Sequence, residues 1–163
     1  MNTLTSSLEF SHFPVMLSEI IQIASPEKGG LFIDCTFGGG SYSNALLKFP
    51  KTKVIGIDRD EAVISRANEL QKKYQKRFKF YQIKFSELDK ILNKNADTII
   101  FDLGLSSIQL KNLNRGFSFK SKNKLDMAMG LNNISAQEAI NNLSEKHLKL
   151  IIKILGEETE ASN

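Results

Sequence analysis

Leu31–Ser43, LFIDCTFGGGSYS, is the stretch on which the fold turns. Leu31 to Cys35 is an apolar run of strand length, and Gly38, Gly39 and Gly40 mark a turn before a helix start. Consecutive glycines let the backbone take positive φ and let a bulky group lie against bare peptide. A helix opening after such a turn offers unpaired N–H groups and a partial positive charge to a polar ligand. The next apolar run, Val54 to Ile57, ends on Asp58, twenty residues beyond Gly38. Nucleotide folds keep a carboxylate there to accept from ribose hydroxyls. The stretch predicts a nucleoside-containing cofactor; the plainer alternative is a tight turn with no ligand.

Charge separates the candidate cofactors. A dinucleotide fingerprint ends its six-residue glycine pattern on Gly or Ala, and here the sixth position is Ser43. Asp34 lies four residues before the first glycine, where it would repel a pyrophosphate. S-adenosylmethionine has no phosphate, and its ammonium and sulfonium would be attracted instead. The pattern favours S-adenosylmethionine over a nicotinamide dinucleotide.

Outward from this stretch, strands and helices alternate. HFPVMLSEIIQIAS predicts an extended start at Pro14 and a helix whose apolar positions include Val15, Ile20 and Ile23. His12, just before it, is open to a functional or a loop role. Ser41 to Phe49 reads as a first crossover helix and KVIGID as a second, fully buried strand. Asp60 to Tyr74 is a helix with Ala62, Val63, Ala67, Leu70 and Tyr74 on one face. FKFYQIKF is a third strand, Ser86 with Asp89 caps a short helix, and ADTIIFDLG is a fourth strand ending on Asp102. Four strands alternating with helices imply a doubly wound α/β sheet, whose ligands bind at the carboxyl ends of the strands. Asp34, the glycines, Asp58, Phe85 and Asp102 all fall at such ends.

Composition sets the outer bounds. The chain has 163 residues, enough for one domain with a sizeable core, with 41% hydrophobic and 25% charged residues. Its 22 basic against 18 acidic side chains give a net charge of +4, compatible with nucleic acid without demanding it. Cys35 is the only cysteine, so neither a disulfide nor a cysteine metal cluster is expected, and no metal site is predicted. With no apolar run of membrane length and no signal peptide, a cytoplasmic protein without a membrane partner is expected.

After Asp102 the pattern loses its period. LGLSSIQLKNLNRGFSFKSKNKLDMAMG is polar and punctuated by glycine, and a long irregular segment after a ligand-site strand is often functional. Ser135, with Glu138 as a capping box, starts one helix. Ser144 starts another, with Leu148, Ile151, Ile152 and Leu155 on its apolar face. His147 on that helix is expected to be structural or exposed.

HFPVM, DCTFGGGSYS, GIDRD, KFSEL, FDLGLSSIQL, RGFSF, LDMAM and the terminal GEE stand in the order and spacing of one group. From His12 to about Glu158 the chain resembles the bacterial small-subunit rRNA cytosine-N4 methyltransferase family, the MraW type. The resemblance implies a Rossmann-like S-adenosylmethionine-dependent methyltransferase fold with an incomplete parallel sheet. It divides the chain into residues 1–104, the N-terminal part of the methyltransferase domain, and 105–163, a loop and the start of a helical insertion. It also implies methyl transfer from S-adenosylmethionine to the N4 amine of a cytidine in small-subunit rRNA, free or within the small ribosomal subunit. Its cofactor positions fall on Gly40, Ser41, Tyr42, Asp58, Phe85, Asp102 and Gln109. On this reading the turn lies along the methionine moiety, Asp58 accepts from the ribose, and Phe85 packs on the adenine. Asp102 and Gln109 face the methionine end and the incoming base. Asp102 is also the candidate catalytic acceptor for the proton leaving the amine; a purely cofactor-binding or loop-anchoring role is the alternative.

Two further elements are candidates for RNA contact. RGFSF supplies Arg115 for phosphate and Phe117 and Phe119 for stacking, unless those rings are loop core. Lys72, Lys73, Lys76, Arg77 and Lys79 form a basic cluster that is either a solvated face or an RNA contact.

The chain departs from the family pattern in three ways. Ser41-Tyr42 stands where the family has Gly-His, and Ser41 is tolerated only at negative φ. Ala128 stands where the family has Arg, removing a guanidinium. Family members also continue past GEE, so this chain is expected to be truncated inside the insertion, with marginal stability or a tendency to associate. A catalytically inactive remnant of the enzyme is one alternative. An NAD-dependent oxidoreductase is another, disfavoured by Asp34, Ser43 and the FDLGLSSIQL block.

Overall fold

In β1 (Gly30–Asp34) side chains alternate between the two faces of a sheet, so Phe32 and Ile33 seed two different cores. A computed structural model describes residues 14, 16–93, 95–132 and 134–160 of the chain. Around β1 the strands β2 (Thr52–Asp58), β3 (Phe78–Gln82) and β4 (Thr98–Ile100) form a four-stranded parallel sheet in the order β3-β2-β1-β4. Every pairing is parallel, with Phe32 beside Val54 and Thr98, and Asp34 beside Gly56 and Ile100. This is an α/β Rossmann-like fold.

The helices of the first half are α1 (Leu17–Ala24), α2 (Ser41–Leu47) and α3 (Ile64–Tyr74). All three supply residues to one core around Phe32, Val54 and Phe78, which are nearly or fully buried along with Leu46, Leu47 and Leu70. The opposite face carries a smaller cluster of Ile33, Cys35 and Ile57, covered by Leu88, Ile91 and Leu92 from and just after a 3₁₀ segment at Phe85–Lys90. The two faces of the sheet are thus unequally clothed.

Several local expectations need correction. In α1 the residues against the core are Leu17, Ile20, Ile21 and Ala24, the i, i+3, i+4, i+7 set. Ile23 falls outside that stripe and is 79% exposed; Val15 and His12 lie outside the described residues. Ala62 is exposed because Glu61–Val63 is a 3₁₀ turn, not part of the α-helix. Ser86 does not cap the segment after β3. The cap is Lys84, whose N–H donates to the Glu87 carboxylate at 3.4 Å, and Asp89 has no part in it. β4 stops at Ile100, short of Asp102. The Ile100 carbonyl accepts the last ladder bond, from Cys35, and the Asp102 N–H turns to the Thr36 hydroxyl.

The chain divides into two units after Ile108. The second holds α4 (Ser107–Lys111, whose last residues lie beyond the division), α5 (Ala136–Asn142) and α6 (Glu145–Leu155). Ser135 caps α5 as expected: its hydroxyl accepts from the Glu138 N–H at 3.1 Å, and the Glu138 carboxylate accepts from the Ser135 N–H at 2.8 Å. Ser144 caps α6 by accepting from the His147 N–H, and its hydroxyl pairs with the exposed His147 ring at 3.0 Å. No residue of α6 is buried. Among the described residues no helix is long and apolar enough to cross a membrane, and no three His, Cys, Asp or Glu side chains form a metal-holding group.

Candidate cofactor site at the carboxyl ends of the strands

The order β3-β2-β1-β4 reverses direction between β1 and β4, and such a reversal opens a crevice at the carboxyl ends of the two strands. The glycine turn rises from β1 at this place. Gly40 has a φ of 71°, and a Cβ there would lie 2.7 Å from the Phe37 ring, so only glycine fits. A Cβ on Gly39 would meet nothing within 4 Å. Nothing in the protein demands a glycine at 39; its effect is to leave bare peptide facing open space.

Asp58 closes the turn from the end of β2. Its Oδ2 accepts from the Gly38 N–H at 2.8 Å and its Oδ1 from the Asp60 N–H at 2.9 Å. Burial raises its pKa above the usual carboxylate value, and these N–H donors pull the other way. Arg66 of α3 adds a second brace, donating from Nε to the Gly39 carbonyl at 3.2 Å.

Asp34, expected at the ligand end of β1 and argued there from its charge, is shut away from the surface. It is completely buried, on the same face as Phe32, and its Oδ2 accepts from the Ser43 hydroxyl at 2.7 Å. That bond ties the end of β1 to α2. Backbone N–H groups of Thr36 and Ser43 also favour the anion, but burial dominates and lifts the pKa to about 6. Its Oδ1 lacks a well-formed hydrogen bond. Asp34 therefore offers no surface for contact with a ligand. Burial, with Asp34 beside it, pushes the Cys35 thiol up to about 11.

At the end of β4 the exposed Asp102 is held by its backbone, whose N–H donates to Thr36 Oγ1 at 2.8 Å. The Tyr42 hydroxyl faces its carboxylate: burial first, then the Asp102 charge, raises the tyrosine's pKa. Tyr42 is itself 6% exposed, with its ring in the main core, so its polar tip alone serves the site. Ser41 opens α2 and does not take a positive φ, the condition for replacing a glycine. Phe85 is 45% exposed and meets Phe101 edge to face at 5.5 Å. The first unit thus gathers Gly40, Ser41, Tyr42, Asp58 and Asp102 around one turn, with Phe85 following β3. Gln109 is buried in α4 and is counted with the second unit.

Sequence reasoning missed Thr36, Ser43 as a partner for Asp34, and Arg66. The Thr36 and Arg66 bonds join residues 66 and 27 positions apart, beyond any local pattern. Part of the basic cluster is structural. Arg77 donates from Nη1 to the carbonyls of Leu47 and Phe49 at 3.0 Å and lies over the Tyr74 ring, which also faces Lys73. Lys72, Lys76 and Lys79 remain exposed.

The profile described as the MraW methylase family matches residues 9–163. A Ribosomal RNA small subunit methyltransferase H of Rickettsia massiliae (strain Mtu5) is 43% identical over 150 residues, covering 91% of this chain and 49% of the relative. One from Orientia tsutsugamushi (strain Boryong) is 42% identical over 153 residues, with 93% and 49% covered. The chain spans about half the length of the curated relatives it matches. Among solved structures, an rRNA methylase from Streptococcus thermophilus overlaps 56% of this chain and 58% of its own, at 17% identity and a TM-score of 0.44.

Proposed function

The chain belongs to the MraW methylase family, and from that premise we propose that it serves methyl transfer from S-adenosylmethionine to the N4 amine of a cytidine in small-subunit rRNA. The observation that carries the reading is the shared rim of bare Gly39 peptide, the Asp58 carboxylate and the Asp102–Tyr42 pair at the β1–β4 reversal. On this reading residues 1–104 are the N-terminal part of the methyltransferase domain, and residues 105–163 are a loop and the start of a helical insertion.

The residues suit this cofactor. Asp58 accepts from backbone N–H groups yet keeps acceptor capacity, since a carboxylate offers about four lone-pair sites. Two ribose hydroxyls fit that remaining capacity. The open face of Gly39 admits a methionine chain against the peptide. Phe85, half exposed, offers a ring to the adenine. The buried negative charge of Asp34 favours a cation above the turn and disfavours a pyrophosphate, which supports S-adenosylmethionine over a dinucleotide.

When bound, the cofactor supplies an electrophilic methyl on a sulfonium. The protein's part concerns the amine. The N4 lone pair of cytosine is delocalised into the ring, so the amine is reactive only when held in line and relieved of a proton. Asp102 is the acceptor for that proton, at a carboxylate Oδ. The Tyr42 hydroxyl fixes the orientation of the carboxylate, and Thr36 fixes its backbone. Gln109 is assigned to the incoming base. The base must leave its stack to reach a methyl donor held at the strand ends.

Calorimetric titration with S-adenosylmethionine, beside Asp58→Ala, tests the site, with saturable binding expected only in the unsubstituted chain. Transfer of labelled methyl to small-subunit RNA then tests the reaction. Asp102→Asn keeps the shape and the Tyr42 contact but is no proton acceptor; transfer should fall roughly 100-fold or more with binding retained. Unimpaired transfer would remove Asp102 from the acceptor role.

A further inference from the structure

The segment after α4 is built, not loose. Arg115 anchors it: Nη2 donates to the Ala128 carbonyl at 2.7 Å, and the guanidinium lies over the Phe117 ring, 5.3 Å from its centre. The Met127 N–H donates to the Arg115 carbonyl at 2.8 Å, closing residues 116–126 into a loop. Gly116 is buried at the base with φ 75°, where a Cβ would sit 3.0 Å from the Asp126 nitrogen. Two side chains tie the tip to the segment before it. Ser121 donates to the Leu113 carbonyl at 2.5 Å, and Asn123 donates to the Asn114 side chain. Lys122 between them, and Lys120 and Lys124 on either side, are left exposed. Phe119 precedes them with its ring wholly in solvent, and no acidic residue occurs from Phe117 to Leu125.

A fully exposed phenylalanine beside a row of lysines on a closed loop joins a stacking face to phosphate-neutralising charge. We propose that loop 116–126 contacts single-stranded RNA, with Phe119 stacking on an unpaired base and Lys120, Lys122 and Lys124 meeting the flanking phosphates. The inference rests on the rRNA reading above and divides its labour: Phe117 belongs to the loop's support, and Arg115 is a positioning residue already committed to Ala128 and Phe117.

The test is anisotropy of a labelled single-stranded oligoribonucleotide, and of its matched duplex, titrated with the full chain at several salt concentrations. Phe119→Leu should weaken single-strand binding roughly tenfold or more, with duplex binding little changed, and Phe119→Trp should restore it. Replacing the three lysines by Gln should flatten the log–log salt dependence by about two. Arg115→Gln should weaken binding without changing that slope; a slope lower by about one would make Arg115 a phosphate ligand and overturn its assignment. Phe119 is fully exposed, so circular dichroism should show an unchanged fold in its variants. Equal single-strand affinity for Phe119→Leu and the unsubstituted chain overturns the loop assignment alone and leaves the enzyme reading standing. Self-association abolished by Phe119→Leu, with RNA affinity unaffected, overturns it in favour of a protein contact. Absence of any RNA binding by the unsubstituted chain at low salt overturns both.

Discussion

The two units of this chain are held together by different physics. Up to Ile108 the chain is organised by burial: Phe32, Ile33, Leu46, Leu47, Val54, Ile57 and Phe78 are at most 1% exposed. Beyond it only Gln109 and Gly116 are buried among the described residues, and the ties are caps, a guanidinium clip and side-chain-to-backbone bonds. Burial is non-directional and scales with apolar area, so it makes a cooperative unit. Exposed hydrogen bonds contribute little net stability each, and they order a segment locally. The proposed cofactor rim, built on the first kind of structure, is preorganised; the loop proposed to meet RNA, built on the second, presents its side chains to solvent.

The sharpest way to break the comparison is to truncate one large apolar residue in each unit. Phe32→Ala should cost about 3–5 kcal/mol in chemical denaturation, enough to unfold a marginal domain. Ile154→Ala, at a position 62% exposed, should stay within about 0.5 kcal/mol. A comparable loss from both would mean that α6 is buried against something in solution.

A second measurement probes the charge inside the first unit. The folded pKa of Asp34, about 6, lies above the ordinary 3.8, so the folded state binds that proton more tightly than the unfolded chain. The ionised group therefore weakens the fold above pH 6, and the penalty fades as pH falls from there toward 4. Asp34→Asn should stabilise the chain by roughly 1–3 kcal/mol near pH 8, with the gain vanishing near pH 4. If Asp34 serves the cofactor through its field, the same variant should bind S-adenosylmethionine more weakly. A variant both more stable and equal in binding would make the buried charge irrelevant to the ligand.

The smallest effect belongs to the second unit. Ser135→Ala removes the acceptor for the Glu138 N–H and should cost about 1 kcal/mol. The loss should appear as faster amide exchange at the start of α5, without a shift in the unfolding of the sheet.

How much was legible in the sequence followed the range of the interactions. The strand–turn–helix at Leu31–Ser43 and the cap pair Ser135–Glu138 are local arrangements, and both appear where expected. Which apolar positions of α1 face the core, Leu17, Ile20, Ile21 and Ala24 but not Ile23, was not legible, because every apolar residue of a short helix looks alike until one face meets a core. Asp102 was placed at a strand end, but the strand stops two residues earlier because a threonine 66 positions away takes the next N–H. The basic cluster looked uniform, yet Arg77 is spent on carbonyls at and just after the end of α2.

By itself the sequence determined the alternation of strands and helices, the glycine turn and the carboxylates after the strands, since these follow from backbone preference and hydrophobic period over a few residues. Only the tertiary structure decided the strand order and the burial of Asp34 beneath Ser43. It also decided that Asp58 braces Gly38, and which arginines are committed inside the protein. Those depend on which distant groups the packed sheet brings within hydrogen-bond range, and on the desolvation that packing imposes, neither of which is written in neighbouring residues.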